Sequence, residues 1–306
     1  MENFRDIGRR LSNWGRWGAQ DQRGTLNLIT AERIVEAATF VRTGKTFELS
    51  IPLCSDGPQT GAGGRVNPIH FMTVMPTDDL QLGERINISD DFISMPLQGA
   101  TQWDSLAHVG YDDRLYNDVD VRTVQALGGA SRNAIDNALP GIVGRGVLLD
   151  IPRARGVEWL DAGQPIGPDE VEAVLEAQGV SVSSGDILAV RTGWRRKAVV
   201  EGWDDWMTGN PGLSLACASW IHDHEIAAVV SDNWGVEVHP AGDGEGILPL
   251  HCVLIRDMGM MLGEIFDFEE LARDCAADGV WEFLLSAPPL RVAGGVGSPV
   301  SPVAVK

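Results

Sequence analysis

The 306-residue chain has no apolar run of the roughly 18 residues a membrane span needs. Its first residues, MENFRDIGRR, contain no hydrophobic signal region, which points to a cytoplasmic protein. Cysteine is scarce: Cys54, Cys217, Cys252 and Cys275 are scattered without a CxxC pair. That excludes a zinc ribbon and a disulfide framework and leaves them as small core residues. Basic residues are in deficit, 24 against 43 acidic, for a formal net charge of −19. A phosphate backbone would be repelled, so nucleic acid is not an expected partner. Three motifs are also missing. There is no GxSxG nucleophile elbow, no GxGxxG opening a helix after a strand, and no GxxxxGK[ST]. These absences argue against a serine hydrolase of the α/β type, a hydride-transfer enzyme and a P-loop protein.

What is present is an ordinary globular composition, 44% hydrophobic and 22% charged. One domain spanning 1–306 is expected, with the Trp/Gly-rich residues 1–50 packed on it. Thr30 reads as the N-cap of a helix that Gly44 would stop, and residues 45–53 as a strand. Residues 55–68, SDGPQTGAGGRVNP, read as a loop or lid. From residue 145 strand and helix patterns alternate. RGVLLDIP, GDILAVRTGW, IAAVVSDN, MMLGEIF and VWEFLLSAPPLRV have strand character. GPDEVEAVLEAQGV, LSLACASWIHDHE, PLHCVLIRDMG and DFEELARDCAADG have helical character. This alternation defines an α/β fold. The Gly/Pro-punctuated tail GGVGSPVSPVAVK is expected to wrap the surface.

Only six histidines are available for chemistry. His222 and His224 lie two apart at a helix C-terminus, where the dipole favours them as surface residues. The densest polar stretch is QGATQWDSLAH, residues 98–108, with Gln98, Gln102, Asp104 and His108. A helix would put Asp104 and His108 on one face, whereas a strand would align Gln102 with Asp104. Carboxylate and imidazole suit zinc or manganese, and a neutral amide oxygen suits a harder cation. The alternative is a polar loop with Trp103 packed inward. A helix carrying His251 beside a strand carrying Glu264 would bring another imidazole to a carboxylate. SDNWGVEVHP gathers Asp232, Asn233, Glu237 and His239 at a strand's carboxyl end, where α/β sheets collect ligands. His70 is a further pocket residue, entering from the Gly-rich loop. The tryptophans, Trp14, Trp17, Trp103 and Trp234 among them, suit an aromatic-lined pocket.

Taken together, these segments resemble the cyclase family, which includes bacterial kynurenine formamidases and isatin hydrolase. QGATQWDSLAH is similar to that family's HxGTHxDxxxH segment, with Gln98 and Gln102 standing where histidines are usual. VVSDNWGVEVHP resembles its (S/T)DNxxVE stretch. PLHCVLIRDMGMMLGEIFDFEELA is similar to its segment with a late histidine and glutamate. WGAQDQRGTLNLIT and GGVGSPVSPVAV resemble a long Trp-containing branch. The resemblance implies a kynurenine-formamidase-like, swivelling β/β/α fold with a mixed sheet and flanking helices, and a homodimer or homotetramer. It implies a metal-dependent hydrolase, or a related cyclase or lyase, opening an amide, lactam or lactone bond of a small molecule. Asp104, His251 and Glu264 would then be metal ligands, His108 would move the proton, and Glu237 would assist it. His70, Trp103, Asn233 and His239 would face the substrate. Three arrangements stay open: an amide oxygen of Gln98 or Gln102 joins a harder ion such as Mn²⁺ or Mg²⁺; one ion, Mn²⁺ or Zn²⁺, sits on Asp104, His251 and Glu264 alone; or the site is metal-free. A silent binding protein of the same fold is the alternative function.

Overall fold

The computed structural model describes residues 3–78, 86–242 and 246–306. Its centre is a nine-stranded mixed sheet. The strands needed here are β1 (Thr46–Glu48), β2 (Ile69–Val74), β3 (Asp90–Ser94), β4 (Gln102–Asp104) and β5 (Val143–Asp150). They are followed by β6 (Ile187–Arg191), β7 (Ala228–Ser231), β8 (Met261–Glu264), β9 (Glu282–Ser286), β10 (Gly297–Pro299) and β11 (Val303–Val305). The sheet order is β1-β11-β9-β5-β6-β7-β8-β4-β10. Strands β5 to β8 are parallel, and the strands on either side of them run antiparallel. The parallel strands read as apolar runs because both of their faces are covered. Val147, Leu148, Leu149, Leu188, Val190 and Val229 have no exposed surface.

The flanking helices include α1 (Phe4–Arg10), α2 (Ala31–Ala38), α3 (Pro168–Gln178), α4 (Trp194–Glu201), α5 (Cys217–Asp223), α6 (Pro249–His251) and α7 (Glu269–Asp278). Thr30 caps α2, accepting from the Arg33 N–H. The helix stops at Ala38, well before Gly44, because β-branched Thr39, Val41 and Thr43 follow. Beyond it the chain turns to the C-terminus, where the N–H groups of Thr43 and Gly44 donate to the Lys306 carbonyl. The helix expected over 249–259 is a single α turn running into a π-type turn, Cys252–Asp257.

The tail does not wrap the surface. Residues 297–299 form edge strand β10 against β4, and 303–305 form β11 between β1 and β9. Gly297, Ser298 and Pro299 are buried. Their Gly/Pro character marks an edge strand, not a loop. Gly297 fits closely there: a Cβ would lie 2.9 Å from the Trp103 carbonyl oxygen and 2.3 Å from the Gln98 side-chain nitrogen.

Strands β2 and β3 pair only with each other. In this hairpin Ile69, Phe71, Met72, Phe92 and Ile93 are all exposed, and they occupy both of its faces.

Candidate functional site

Strand β4 carries the motif. In register, Glu264 lies opposite Gln102 and Leu262 opposite Asp104 on one side of it; Pro299 and Gly297 lie opposite them on the other. Alternation puts Gln102 and Asp104 on one face and Trp103 on the other. Trp103 is fully buried, packs edge-on against Phe266 and donates its indole N–H to the Ala287 carbonyl at 2.9 Å. Gly263, cross-strand from it, leaves the room: a Cβ there would be 3.1 Å from the Trp103 ring. Trp103 is therefore core and cannot line a pocket with Asp104.

His251, on the short α6, meets the motif face. Asp104, His251 and Glu264, all buried, offer ligand atoms within 4.8 Å of one another. Glu264 Oε1 lies 3.1 Å from His251 Nε2, and its Oε2 accepts from the Gln102 amide at 2.7 Å. The other ring nitrogen, Nδ1, bonds Glu237 Oε1. Glu237 also accepts the backbone N–H groups of Leu250, at 3.0 Å, and His251, at 2.7 Å. A carboxylate at the first turn of a helix satisfies its free N–H groups and favours the dipole. Glu237 is thus a positioning residue that fixes the His251 ring, and the proton-moving role expected of it does not fit its occupied oxygens.

The carboxylates set the electrostatics of this cluster. Burial alone would lower the basicity of His251, but hydrogen bonds to Glu237 and Glu264 outweigh it and drive the pKa upward. Burial holds the Asp104 carboxyl above its usual range, tempered by His108. Both Asp104 oxygens and Gln102 Oε1 are buried without any hydrogen-bond partner. Unpartnered buried acceptors are costly, so their convergence calls for a ligand. An oxygen-rich set with one imidazole fits a divalent cation such as Mn²⁺ or Zn²⁺. His108 Nε2 lies 3.7 Å from Asp104 Oδ1, with 21% of its side chain exposed. Burial pushes its pKa down, against the pull of Asp104, which favours the neutral ring.

Three of the remaining expected residues, His70, Asn233 and His239, lie outside this cluster. His70 is exposed on β2, its Nε2 2.8 Å from Asp91 of β3. The loop it was expected to extend from ends before it, and the hairpin carries it outward. Asn233 is buried in a turn; its amide donates to the Pro211 carbonyl at 2.5 Å and accepts from the Val236 N–H at 2.7 Å. It holds the backbone, and the side chain has no exposed surface. His239 packs edge-on against Trp234, with centroids 5.4 Å apart. Gln98 is brought to the site, its side-chain nitrogen buried and unpartnered. Sequence reading missed Trp194, Trp203 and Trp206, which form a second apolar cluster with Ile51, Met95, Ala100 and Ile265. Ile265 directly follows Glu264, and Ala100 lies between Gln98 and Gln102, so this aromatic cluster adjoins the site. Their sequence signal was the spacing of tryptophans after the β6 strand.

The mixed sheet, with antiparallel β4 carrying Asp104 beside His251 and Glu264, is the α/β architecture that the sequence resemblance implies. Residues 47–238 match the family model described as putative cyclase. The chain belongs to this cyclase family. A crystal structure described as a novel cyclase is 41% identical, with a TM-score of 0.88, covering 97% of this chain and 100% of its own. Isatin hydrolase A from Ralstonia solanacearum shares the fold at 15% identity and TM-score 0.65, over 90% of this chain and 97% of its own. A predicted metal-dependent hydrolase from Bacillus stearothermophilus does so at 17% identity and TM-score 0.56, over 86% and 98%. No functionally curated protein matches the chain.

Proposed function

We propose that this chain is a hydrolase that opens an amide, lactam or lactone bond in a small aromatic substrate, with one divalent cation held by Asp104, His251 and Glu264. The observation that carries the reading is the convergence of these three groups around carboxylate oxygens with no protein partner. The amide oxygen of Gln102 is the fourth donor, since its nitrogen is committed to Glu264. When bound, such an ion supplies positive charge that polarises a carbonyl and acidifies water. Glu237 orients the His251 ring through Nδ1, and Gln102 orients Glu264, as partners behind metal ligands generally do. Neutral His108, partly open to solvent beside Asp104, accepts the proton from water and returns it to the leaving group. The tryptophan cluster next to Ile265 and Ala100 suits a planar, apolar substrate. Support also comes from fold relatives described as isatin hydrolases, one of them bound to a product analogue, thioisatinate.

Elemental analysis of protein purified without chelator or affinity metal, combined with turnover of a panel of aromatic lactams, lactones and N-acyl amines, tests the reading. Close to one divalent ion per chain is expected, and His108→Ala should lower the rate at least ~100-fold. Ion-free protein that binds panel compounds without converting them would make it a silent binding protein.

A homo-oligomer, dimer or tetramer, belongs to the same reading, and the β2–β3 hairpin is its contact arm. An isolated two-stranded ribbon is marginal in water, and this one exposes apolar side chains on both faces. Two-fold pairing covers two such arms at once. Light scattering after size exclusion should show a multimer for the natural chain and a monomer for Phe71→Asp/Phe92→Asp. A monomeric natural chain would contradict the assignment.

A further inference from the structure

The site described so far is a nest of acceptors. Asp104 and Glu264 face it, Glu237 stands behind His251, and the chain as a whole carries a net −19. Opening an amide, lactam or lactone releases a carboxylate. Such an anion needs donors somewhere in this wall.

One side chain answers. Arg65 lies at the end of the glycine-rich turn within residues 55–68, the segment that reads as a loop or lid. Gly61, Gly63 and Gly64 all have left-handed φ values, of 89°, 63° and 80°. The turn closes with the Gly61 N–H donating to the Arg65 carbonyl at 2.9 Å. Its base is tied by Asn67, which accepts from the Gln59 N–H at 2.8 Å and donates to the Gly57 and Gln59 carbonyls. Gln59 in turn donates its side-chain amide to the Gly99 carbonyl at 3.2 Å. The Val66 carbonyl oxygen would be 3.5 Å from a Cβ at Gly99. The loop is therefore laid directly on the motif segment, between Gln98 and Ala100.

Arg65 is half-buried, yet among the described residues its guanidinium has no hydrogen-bonded or ion-paired partner. Its backbone neighbour Val66 lies against Gly99, next to Gln98, and the Arg65 charge is felt at both Asp104 and His108. A second free donor is close by: the Gln98 side-chain nitrogen, on a residue only 8% exposed, has no acceptor. It sits against Gly297, directly across the ladder from Asp104. A half-buried guanidinium without a counter-ion is unusual, because arginine's planar fork is best satisfied by a carboxylate or phosphate.

We propose that Arg65, with the free amide of Gln98, forms a seat for a carboxylate at the rim of the Asp104–His251–Glu264 cluster, so that the substrate or its product binds as an anion. The proposal deepens the hydrolase reading and rests on the same site, but its test does not depend on turnover. Benzoate and benzamide, matched in shape and differing in charge, are titrated into the purified natural chain, Arg65→Gln and Arg65→Lys, followed by tryptophan fluorescence. The natural chain should prefer benzoate. Arg65→Gln should weaken benzoate by ~10-fold or more while benzamide changes less than about twofold, and Arg65→Lys should retain part of the preference. Unchanged melting curves establish that the variants fold. Equal benzoate affinity in Arg65→Gln, an equal loss for benzamide, or no benzoate binding by the natural chain would overturn the seat. If the charge preference follows Arg65 but no substrate is ever turned over, the seat stands and the hydrolase reading falls.

Discussion

Asp104→Asn is expected to abolish hydrolysis and, in chelator, to make the protein more stable. The two effects have one cause. Asp104 is 1% exposed, and neither carboxylate oxygen has a hydrogen-bond partner. Burial raises its pKa, which means that the folded state disfavours its charge at neutral pH. The raised pKa works against stability above the unfolded value and is relieved as pH falls, the reverse of a salt-bridged aspartate. Asparagine keeps the shape and removes the charge, so ion-free protein should gain about 1–2 kcal/mol. If a cation binds as proposed, the natural chain recovers that loss, because an ion that prefers the folded state stabilises it by mass action. Thermal melts at pH 8, with Mn²⁺ and with chelator, give the reading. The natural chain should melt higher with Mn²⁺, and Asp104→Asn should not respond to it. Catalysis should fall at least ~100-fold. An asparagine variant that is less stable in chelator and still shifts with Mn²⁺ would show that the carboxylate is structural.

The second large effect lies away from the chemistry. Gly24 has a left-handed φ of 56°, and a Cβ there would lie 1.8 Å from the Gly259 carbonyl oxygen. The neighbouring Thr25 N–H donates to that same oxygen at 2.9 Å, and the Thr25 hydroxyl donates to the Ala227 carbonyl at 2.7 Å. Gly259 is itself left-handed, with a would-be Cβ 2.3 Å from the Tyr116 ring. The N-terminal segment is thus locked onto the connection between His251 and Glu264. Gly24→Ala combines an unfavourable backbone conformation with overlap against backbone that cannot move aside. It should cost about 3 kcal/mol or more, lowering the melting temperature by roughly 6 °C or more. On the proposed reading metal affinity should drop with it, since the brace spaces His251 and Glu264. A variant melting within a degree of the natural chain would show the contact to be slack.

How much of this was legible in the sequence depends on the range of the interaction. Strands β5 to β8 declared themselves because burial on both faces leaves unbroken apolar runs. Thr30 declared the start of α2 because capping is local. Asp104, His251 and Glu264 were named from chemistry and resemblance, and the chain brings them together. Trp103 was misassigned although its position between Gln102 and Asp104 contained the answer: in a strand, alternate residues face opposite ways. Glu237 was read from its neighbours in sequence, but its partners, Leu250 and His251, come from another element across a loop. Arg65 was invisible for the same reason. A glycine-rich loop looks like a linker until the fold shows what lies beneath it. The tail misled most, since glycine and proline signal turns and here they fill a sheet edge.

That edge has a consequence for the timing of synthesis. Strand β4 is made early, yet one of its two neighbours, β8, ends at Glu264, and the other, β10, spans 297–299. A chain still on the ribosome has Asp104 long before it has Gly297 and Pro299 to flank it. The strand that carries the chemistry is therefore among the last parts of the sheet to be enclosed. Its carboxylate stays in water, apart from His251 and Glu264, until residue 264 and the strand beyond it have emerged.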